Sequence, residues 1–440
     1  MPKNKIVFTI VARNYYGLAQ VLKESVRRQH DDVEFLVFIA DGIPVQERGR
    51  FGEDAIDATT VMHRYVPAQK LLEMAFKYNL TEFCTAIKPF CFRYVFDDTS
   101  HEDAIYLDPD IFLFSSLAPV FDALATSSIV LTPHIVFPSL KEGKRRDSGI
   151  MATGIFNLGF VGLRRSPSAA VFLQWWSQRL EDQCFVDSHD ALFTDQKWVD
   201  FVPALFPQRD VRVLRHGGAN LAPWNFHERQ VQTGPDGTLL VERRQGADAD
   251  LPTNSDATLD PVMFVHFSGF DYKRLCEGEV AQYNIDGLEL YPDLQPLIDR
   301  YMAAIKAQRA VVLEFMAMPY VYGAYRDSSP VISFHRRLYR SALESGLPCG
   351  DPFTVGDGSF HARLARHRLL PDDGNATGMD KSNKNNMAGV GRKLAMINRG
   401  MRALKRIIGF KNYIVLLRLM RPYSRAESQL HLIDPTQNKL

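Results

Sequence analysis

The sequence predicts an α/β fold built on a parallel sheet that is covered on both faces. Two observations carry this. The segments KIVFTIVA (5–12) and VEFLVFIA (33–40) are almost wholly apolar and rich in β-branched and aromatic residues, without the alternation of a half-exposed strand. Between them, residues 16–28 place Leu18, Val21, Leu22 and Ser25–Val26 on one helical face. Strand, helix, strand with fully apolar strands is the βαβ pattern. In such sheets ligands sit beyond the carboxyl ends of the strands. Ala12–Tyr16 and Asp41 stand at two such ends.

The remaining elements follow in order. Helices are expected over 67–78 and 81–96, the second interrupted by Pro89. A strand at 104–107 runs into Asp108-Pro109-Asp110 and on into 111–114. A strand is read at 155–163. Helices follow at 167–180, opened by Ser166-Pro167 as N-cap and first residue, and near 189–199. A short strand at 262–265 leads into His266-Phe267-Ser268-Gly269. Beyond about residue 285 the character changes, with helical stretches at 287–317 and 330–345. Residues 371–392, rich in Gly, Asn, Asp and Ser, read as a flexible linker. The expected organisation is a catalytic domain over 1–285, a helical extension over 286–370, the linker over 371–392 and a basic tail over 393–440.

Bulk properties narrow the class. A chain of 440 residues is long enough for a large domain and an appendage. The net charge of +1 does not favour nucleic-acid binding by the molecule as a whole. Five widely spaced cysteines without a C-x-x-C pair fit a reducing compartment rather than a zinc site or a disulfide framework. MPKNK passes straight into the first strand, and no apolar run reaches the roughly 18 residues of a membrane span. A cytoplasmic protein is expected, peripheral on the inner membrane face if it meets the membrane at all.

The chemistry concentrates in Tyr106-Leu107-Asp108-Pro109-Asp110. An apolar strand delivers two carboxylates to the ligand edge of the sheet, where a hard divalent cation could bridge them to phosphate oxygens. D-P-D is also ordinary turn chemistry. His266, beyond another short strand, could complete a metal site, or be a satisfied structural histidine. Gly269 would let backbone approach a phosphate, and Lys273 could pair with a diphosphate oxygen.

In this order YLDPD, FNLG (156–159), Asp195-Gln196 and HFSG resemble the motifs of family-eight retaining glycosyltransferases, the glycogenin and lipopolysaccharide galactosyltransferase group. The likeness spans roughly residues 4–275. The string NLAPWNFHER is similar to one in bacterial glycosyltransferases of polysaccharide clusters. The resemblance implies the GT-A nucleotide-diphospho-sugar transferase fold and transfer from a nucleotide-sugar, UDP-linked in the first instance, with retention. The acceptor would be a glycan, a lipid-linked glycan or a protein. Carried over residue by residue, Asp108, Asp110 and His266 would hold Mn2+ or Mg2+. Ala12, Asn14 and Tyr15 would border the base and ribose. Asn157 would line the sugar pocket, Lys88 would stand near the donor sugar, and Asp195-Gln196 would lie beneath the reacting carbon, Asp195 as a nucleophile candidate. The chain departs from the family pattern in two places. Lys273 lies one residue further from the histidine than the family's lysine. The first loop, ARNYY, lacks an acidic residue, which leaves Arg13 to act there.

Bland readings stand beside these: Asn157 as a turn cap, Asp195 as a helix residue paired with Lys197, Lys88 as a solvated charge. Trp224 and Asn225, near Pro223, His227 and Arg229, are either an acceptor wall or a packed turn. A sugar nucleotidyltransferase on the same fold would need a glycine-rich first loop, and ARNYYG has a single glycine. A non-catalytic nucleotide-sugar-binding scaffold is the third reading.

The tail is a separate matter. From Lys381 to Arg425 there are twelve Lys or Arg and no Asp or Glu, with Leu394, Ile397, Met401, Leu404 and Ile408 at helical spacing. Residues 393–425 suit an anionic membrane surface. The alternatives are a helix docked on the catalytic domain and, less favoured, a nucleic-acid arm.

Overall fold

The computed structural model describes residues 4–137, 147–244, 259–285, 287–371 and 389–434. Of the linker expected over 371–392, residues 372–388 lie outside these residues, and 390–392 are not linker but the start of a helix. The chain forms two compact units, one of Met1–Val66 with Leu80–Tyr320, the other of Pro67–Asn79 with Val321–Leu440. Residues 286–320, expected with the helical extension, thus cluster with the first unit, and 67–79 with the second.

The first unit is an α/β structure around a mixed seven-stranded sheet. Its first four strands are β1 (Lys5–Val11), β2 (Val33–Ile39), β3 (Ala55–Asp57) and β4 (Asp103–Leu107). β5 (Ile111–Leu113), β6 (Ile129–Leu131), β7 (Phe160–Arg164), β8 (Val211–Val213) and β9 (Phe264–His266) follow. The spatial order in the large sheet is β8-β6-β7-β4-β1-β2-β3. β1 runs parallel to β2, from Lys5 opposite Val33 to Val11 opposite Ile39, and parallel to β4, with Phe8 opposite Tyr106. β7 is the exception to the parallel expectation, running antiparallel between β4 and β6. That reversal brings the segment before β7, rather than the one after it, to the edge where β4 ends.

Both faces of the sheet are buried, which is why the strands read as apolar throughout. On one side Val7, Val11, Val37 and Ile105 join Ala19, Leu22 and Val26 of helix Tyr16–Gln29. On the other, Phe8 meets Phe38, Phe92 and Tyr106 edge-on at centroid distances of 4.7–5.6 Å. The helical stretch broken by Pro89 is two helices, Leu80–Ala86 and Lys88–Asp98. Two expectations are corrected. Residues 155–159 are not strand, because the pairing with β4 starts at Phe160. The helix near 189–199 shrinks to Gln196–Val199, because Leu192–Phe193 pairs with Val186–Asp187 instead.

The second unit packs around Phe76, whose ring contacts Tyr325, Tyr339, Phe353 and Phe360 at 4.8–5.8 Å. Arg336, buried, donates to the carbonyls of Phe76 and Tyr78 at 2.7 and 2.8 Å, capping helix Ala68–Lys77. A 31-residue helix, Val390–Met420, broken at Gly409, is followed by the short 3-10 turns Pro422–Ser424 and Glu427–Leu432.

Candidate active site

Strand registers assemble the site. β4 ends at Leu107, and Asp108 to Ile111 form a turn closed by the Ile111 N–H donating to the Asp108 carbonyl at 3.0 Å. The turn and the chemistry are therefore one structure: proline follows the first residue of the turn, and the turn presents both carboxylates. β7 is antiparallel to β4 with Phe160 opposite Leu107, which carries Asn157–Gly159 to the same edge. There the Asp108 N–H donates to the Gly159 carbonyl at 2.8 Å. β9 pairs antiparallel with β5, His266 opposite Ile111, so the imidazole lands beside Asp110.

The result is a tight cluster. His266 Nε2 lies 3.1 Å from Asp110 Oδ1 and 3.7 Å from Asp108 Oδ2. One ligand atom from each of Asp108, Asp110 and His266 falls within 4.8 Å of the others. Two hard carboxylate oxygens and one imidazole, with the rest of the sphere left to phosphate and water, fit a divalent cation. Behind the ring, His266 Nδ1 faces Asn157 Oδ1 at 3.2 Å, which makes Nδ1 the donor and leaves Nε2 either to donate to Asp110 when protonated or to ligate a cation when not. Asn157 Nδ2 in turn lies 3.5 Å from His134 Nε2. Gly159 is required by close approach. A Cβ there would fall 2.6 Å from the His266 ring.

Electrostatics follow from burial and pairing. Burial opposes protonation of His266, but the Asp110 charge and hydrogen bond outweigh it and raise its pKa. Burial likewise pushes Asp110 up, and His266 more than reverses this, leaving its pKa below the ordinary carboxylate value.

Lys88, at the start of its helix, is 1% exposed and not a solvated charge. Its ammonium lies 2.8 Å from Asp195 Oδ2 and 3.9 Å from Asp108 Oδ1, donates to the Leu158 carbonyl at 2.8 Å, and sits 4.4 Å over the Tyr106 ring. Burial works against its charge, and the two carboxylates restore it, raising its pKa. Asp195 is also 1% exposed. Burial raises its pKa despite Lys88. Its partners are Lys88 and the Thr194 hydroxyl, not Lys197, which pairs with Asp200. Thr194 sits at φ 47°, a left-handed conformation costly for a β-branched residue, immediately before Asp195. Gln196 is braced at both ends of its amide. Its Nε2 donates to the Thr153 carbonyl at 2.7 Å, and its Oε1 faces the Leu158 N–H at 3.4 Å.

Two cavities meet at the carboxylates. One, of about 600 Å³, is lined by Ala12, Asn14, Tyr15, Asp108, Asp110, Gly269, Tyr272 and Lys273. Its walls include the Tyr15 and Tyr272 rings, 5.3 Å apart, and its Asn14 Oδ1 is buried with no hydrogen-bond partner among the described residues. The other, of about 750 Å³, is lined by Lys88, Asn157, Asp195, Gln196, Trp224, His227 and His266. Here Trp224 Nε1 is a buried donor with no partner among the described residues.

Some expected residues stand elsewhere. Among the described residues lining these two cavities, Asp41 and Arg13 are absent. The Asp41 carboxylate accepts from the Arg13 N–H at 2.8 Å, and the Arg13 guanidinium reaches Asp41 and Glu47, so both are spent on holding the first loop. Gly269, at φ 78°, faces the Asn284 side chain, 2.5 Å from where a Cβ would be. Its close approach is to Asn284. Asn225 locks a turn by donating to the His134 and Asn220 carbonyls, while Trp224 lines the cavity, so the pair divides between the two readings. Arg229 is wholly buried on the Gly217 and Ala219 carbonyls. Reasoning from sequence missed Thr81, Thr85, His134, Ser268, Tyr283 and Asn284 on the cavity walls. It also missed the Tyr106 hydroxyl, which donates to Asp108. Tyr106 and Ser268 carried a signal, as the first letter of YLDPD and the third of HFSG.

No family model matches the chain. It is similar to two uncharacterized proteins of Bacillus subtilis (strain 168). YfnF is 25% identical over 242 residues, covering 53% of this chain and 74% of YfnF. YfnD is 27% identical over 265 residues, 60% of this chain and 76% of YfnD. Among solved structures, the galactosyltransferase LgtC in complex with donor and acceptor sugar analogs aligns with a TM-score of 0.40 at 15% identity, over 69% of this chain and 95% of LgtC. The bifunctional glycosyltransferase WbbM aligns at 0.38 and 12%, over 72% and 52%.

Proposed function

We propose that the protein is a metal-dependent glycosyltransferase of the GT-A type, transferring a sugar from a UDP-sugar to a glycan, lipid-linked or protein acceptor with retention. The observation that carries this reading is the Asp108–Asp110–His266 cluster at the junction of two cavities. The cavity walled by Tyr15 and Tyr272 would take the nucleotide, and the one beside Trp224 the sugars. Asp108, Asp110 and His266 would hold Mn2+ or Mg2+, which when bound would neutralise the diphosphate of the leaving nucleotide.

The chain's own groups take the remaining tasks. Asn14 Oδ1, buried without a partner, is an acceptor for a base or ribose donor. Ala12 and Tyr15 flank it, and Lys273 stands at the far wall for a phosphate oxygen. Asn157 orients His266 and fixes its tautomer. Lys88 supplies a permanent buried positive charge between the cluster and the sugar cavity. Of the two roles open to Asp195, holding Lys88 is better supported than acting as nucleophile, because its carboxylate already faces an ammonium at 2.8 Å. Gln196 shapes the pocket floor through the Thr153 and Leu158 backbone. The Trp224 indole N–H is a free donor for a sugar hydroxyl.

Calorimetry of UDP with and without Mn2+ tests the reading. Binding should require the cation and disappear in Asp108→Asn. Equal UDP affinity without any divalent ion would sink it. Release of pyrophosphate from a nucleoside triphosphate would point to a nucleotidyltransferase instead, and cation-dependent UDP binding with no turnover of any UDP-sugar to a scaffold.

A further inference from the structure

Helix Val390–Met420 contains eight Lys or Arg, no Asp or Glu, and not one buried residue. Up to Gly409 it is amphipathic: Val390, Leu394, Ile397, Met401, Leu404 and Ile408 recur at three- and four-residue steps. Arg392, Arg399, Arg402 and Arg406 lie on the opposite side. After Gly409, at φ 78°, the segment FKNYIVLLRLM is apolar nearly all round. Ile407 and Phe410 at the break are 80% and 69% exposed, and Leu419 and Met420 are more than half exposed. A helix apolar on every side is ordinarily covered by something. No helix of the described residues is long and apolar enough to cross a membrane.

We propose that this helix lies in the plane of an anionic lipid surface, its apolar residues in the acyl boundary and its cations on the headgroups. Charge decides among occupants. A second copy of the helix would set cations against cations. An anionic bilayer complements the cations and also takes the apolar residues, which a nucleic-acid backbone would leave in water. Since the whole chain carries +1, the remainder is net acidic. An anionic surface therefore attracts this helix and repels the rest. The inference stands apart from the sugar-transfer reading.

The test is co-sedimentation of the full chain with vesicles of phosphatidylcholine alone or mixed with phosphatidylglycerol. Binding is expected only to the anionic vesicles and should weaken with salt. The triple variant Arg399→Glu/Arg402→Glu/Arg406→Glu should bind at least about tenfold more weakly, and Ile407→Ser/Phe410→Ser should also lose binding. Unchanged thermal unfolding would show that both variants are folded. Failure of the parent chain to bind anionic vesicles at low salt would overturn the proposal. So would binding indifferent to the charge reversals, or a duplex oligonucleotide bound while vesicles are not.

Discussion

The sheet edge at Asp108 and the helix Val390–Met420 are both rich in charge, and they hold it in opposite ways. At the edge, five ionisable groups (Lys88, Asp108, Asp110, Asp195 and His266) interlock within a few ångströms, each facing an opposite charge. In the helix, eight cations stand without a single acid and without burial. Buried charges are tolerated only where partners satisfy them, so an edge of this kind is coupled and intolerant. Solvated charges are individually cheap and act collectively on whatever lies outside. The difference predicts which substitutions destroy the protein and which only relocate it.

The largest effect belongs to the cluster. Asp108→Asn is expected to lower turnover about a thousandfold, several kcal/mol of lost charge stabilisation, measured as donor consumption with saturating Mn2+. Activity within tenfold of the parent would break the comparison. Next comes the buried pair. Lys88→Met or Asp195→Asn alone should cost about 3–5 kcal/mol of stability in denaturant unfolding, since each leaves one partner unmatched. The double variant Lys88→Met/Asp195→Leu should recover much of that. Rescue of Asp195→Ala by azide, with a glycosyl azide as product, would return Asp195 to the nucleophile's role. Third, Gly159→Ala should push the His266 ring aside and weaken Mn2+-dependent UDP binding about 10- to 100-fold by calorimetry.

A smaller effect is set by pH in the metal-free protein. The pKa of His266 is raised above 6.5, so its contribution to stability is complete below about 6.5 and fades as pH rises through the higher value. The pKa of Asp110 is lowered below 3.8, so its contribution is complete above about 3.8 and is lost only as pH falls through the lower value. The unfolding temperature with a chelator present should therefore decline above pH 6.5. Excess Mn2+ should remove that decline, because the cation and the proton compete for Nε2. The smallest effect is in the tail. Arg402→Glu should change stability by no more than about 0.5 kcal/mol, as for other exposed positions.

Much of the architecture was legible locally. Apolar strands, the Ser166-Pro167 helix start and the DPD turn are written in short stretches whose physics is settled within a few residues. The carboxylate pair was legible for the same reason: one turn after one strand presents both. Lys88 and His266 could be named, each with a bland alternative. Folding buried Lys88 against Asp195, which a solvated charge would not be, and placed His266 beside Asp110.

What the chain alone determined was the composition of the edge: two acids in a turn, an imidazole beyond a strand, an amide before a glycine, and a basic helix with no acid to balance it. Tertiary structure decided which of these meet. The antiparallel entry of β7 brought Asn157 and Gly159 to Asp108, and the pairing of β9 with β5 brought His266. Long-range register also turned Asp41, Arg13 and Arg229 into braces away from the two cavities. A side chain's role depends on the potential and the neighbours around it, and those come from segments far away in the chain.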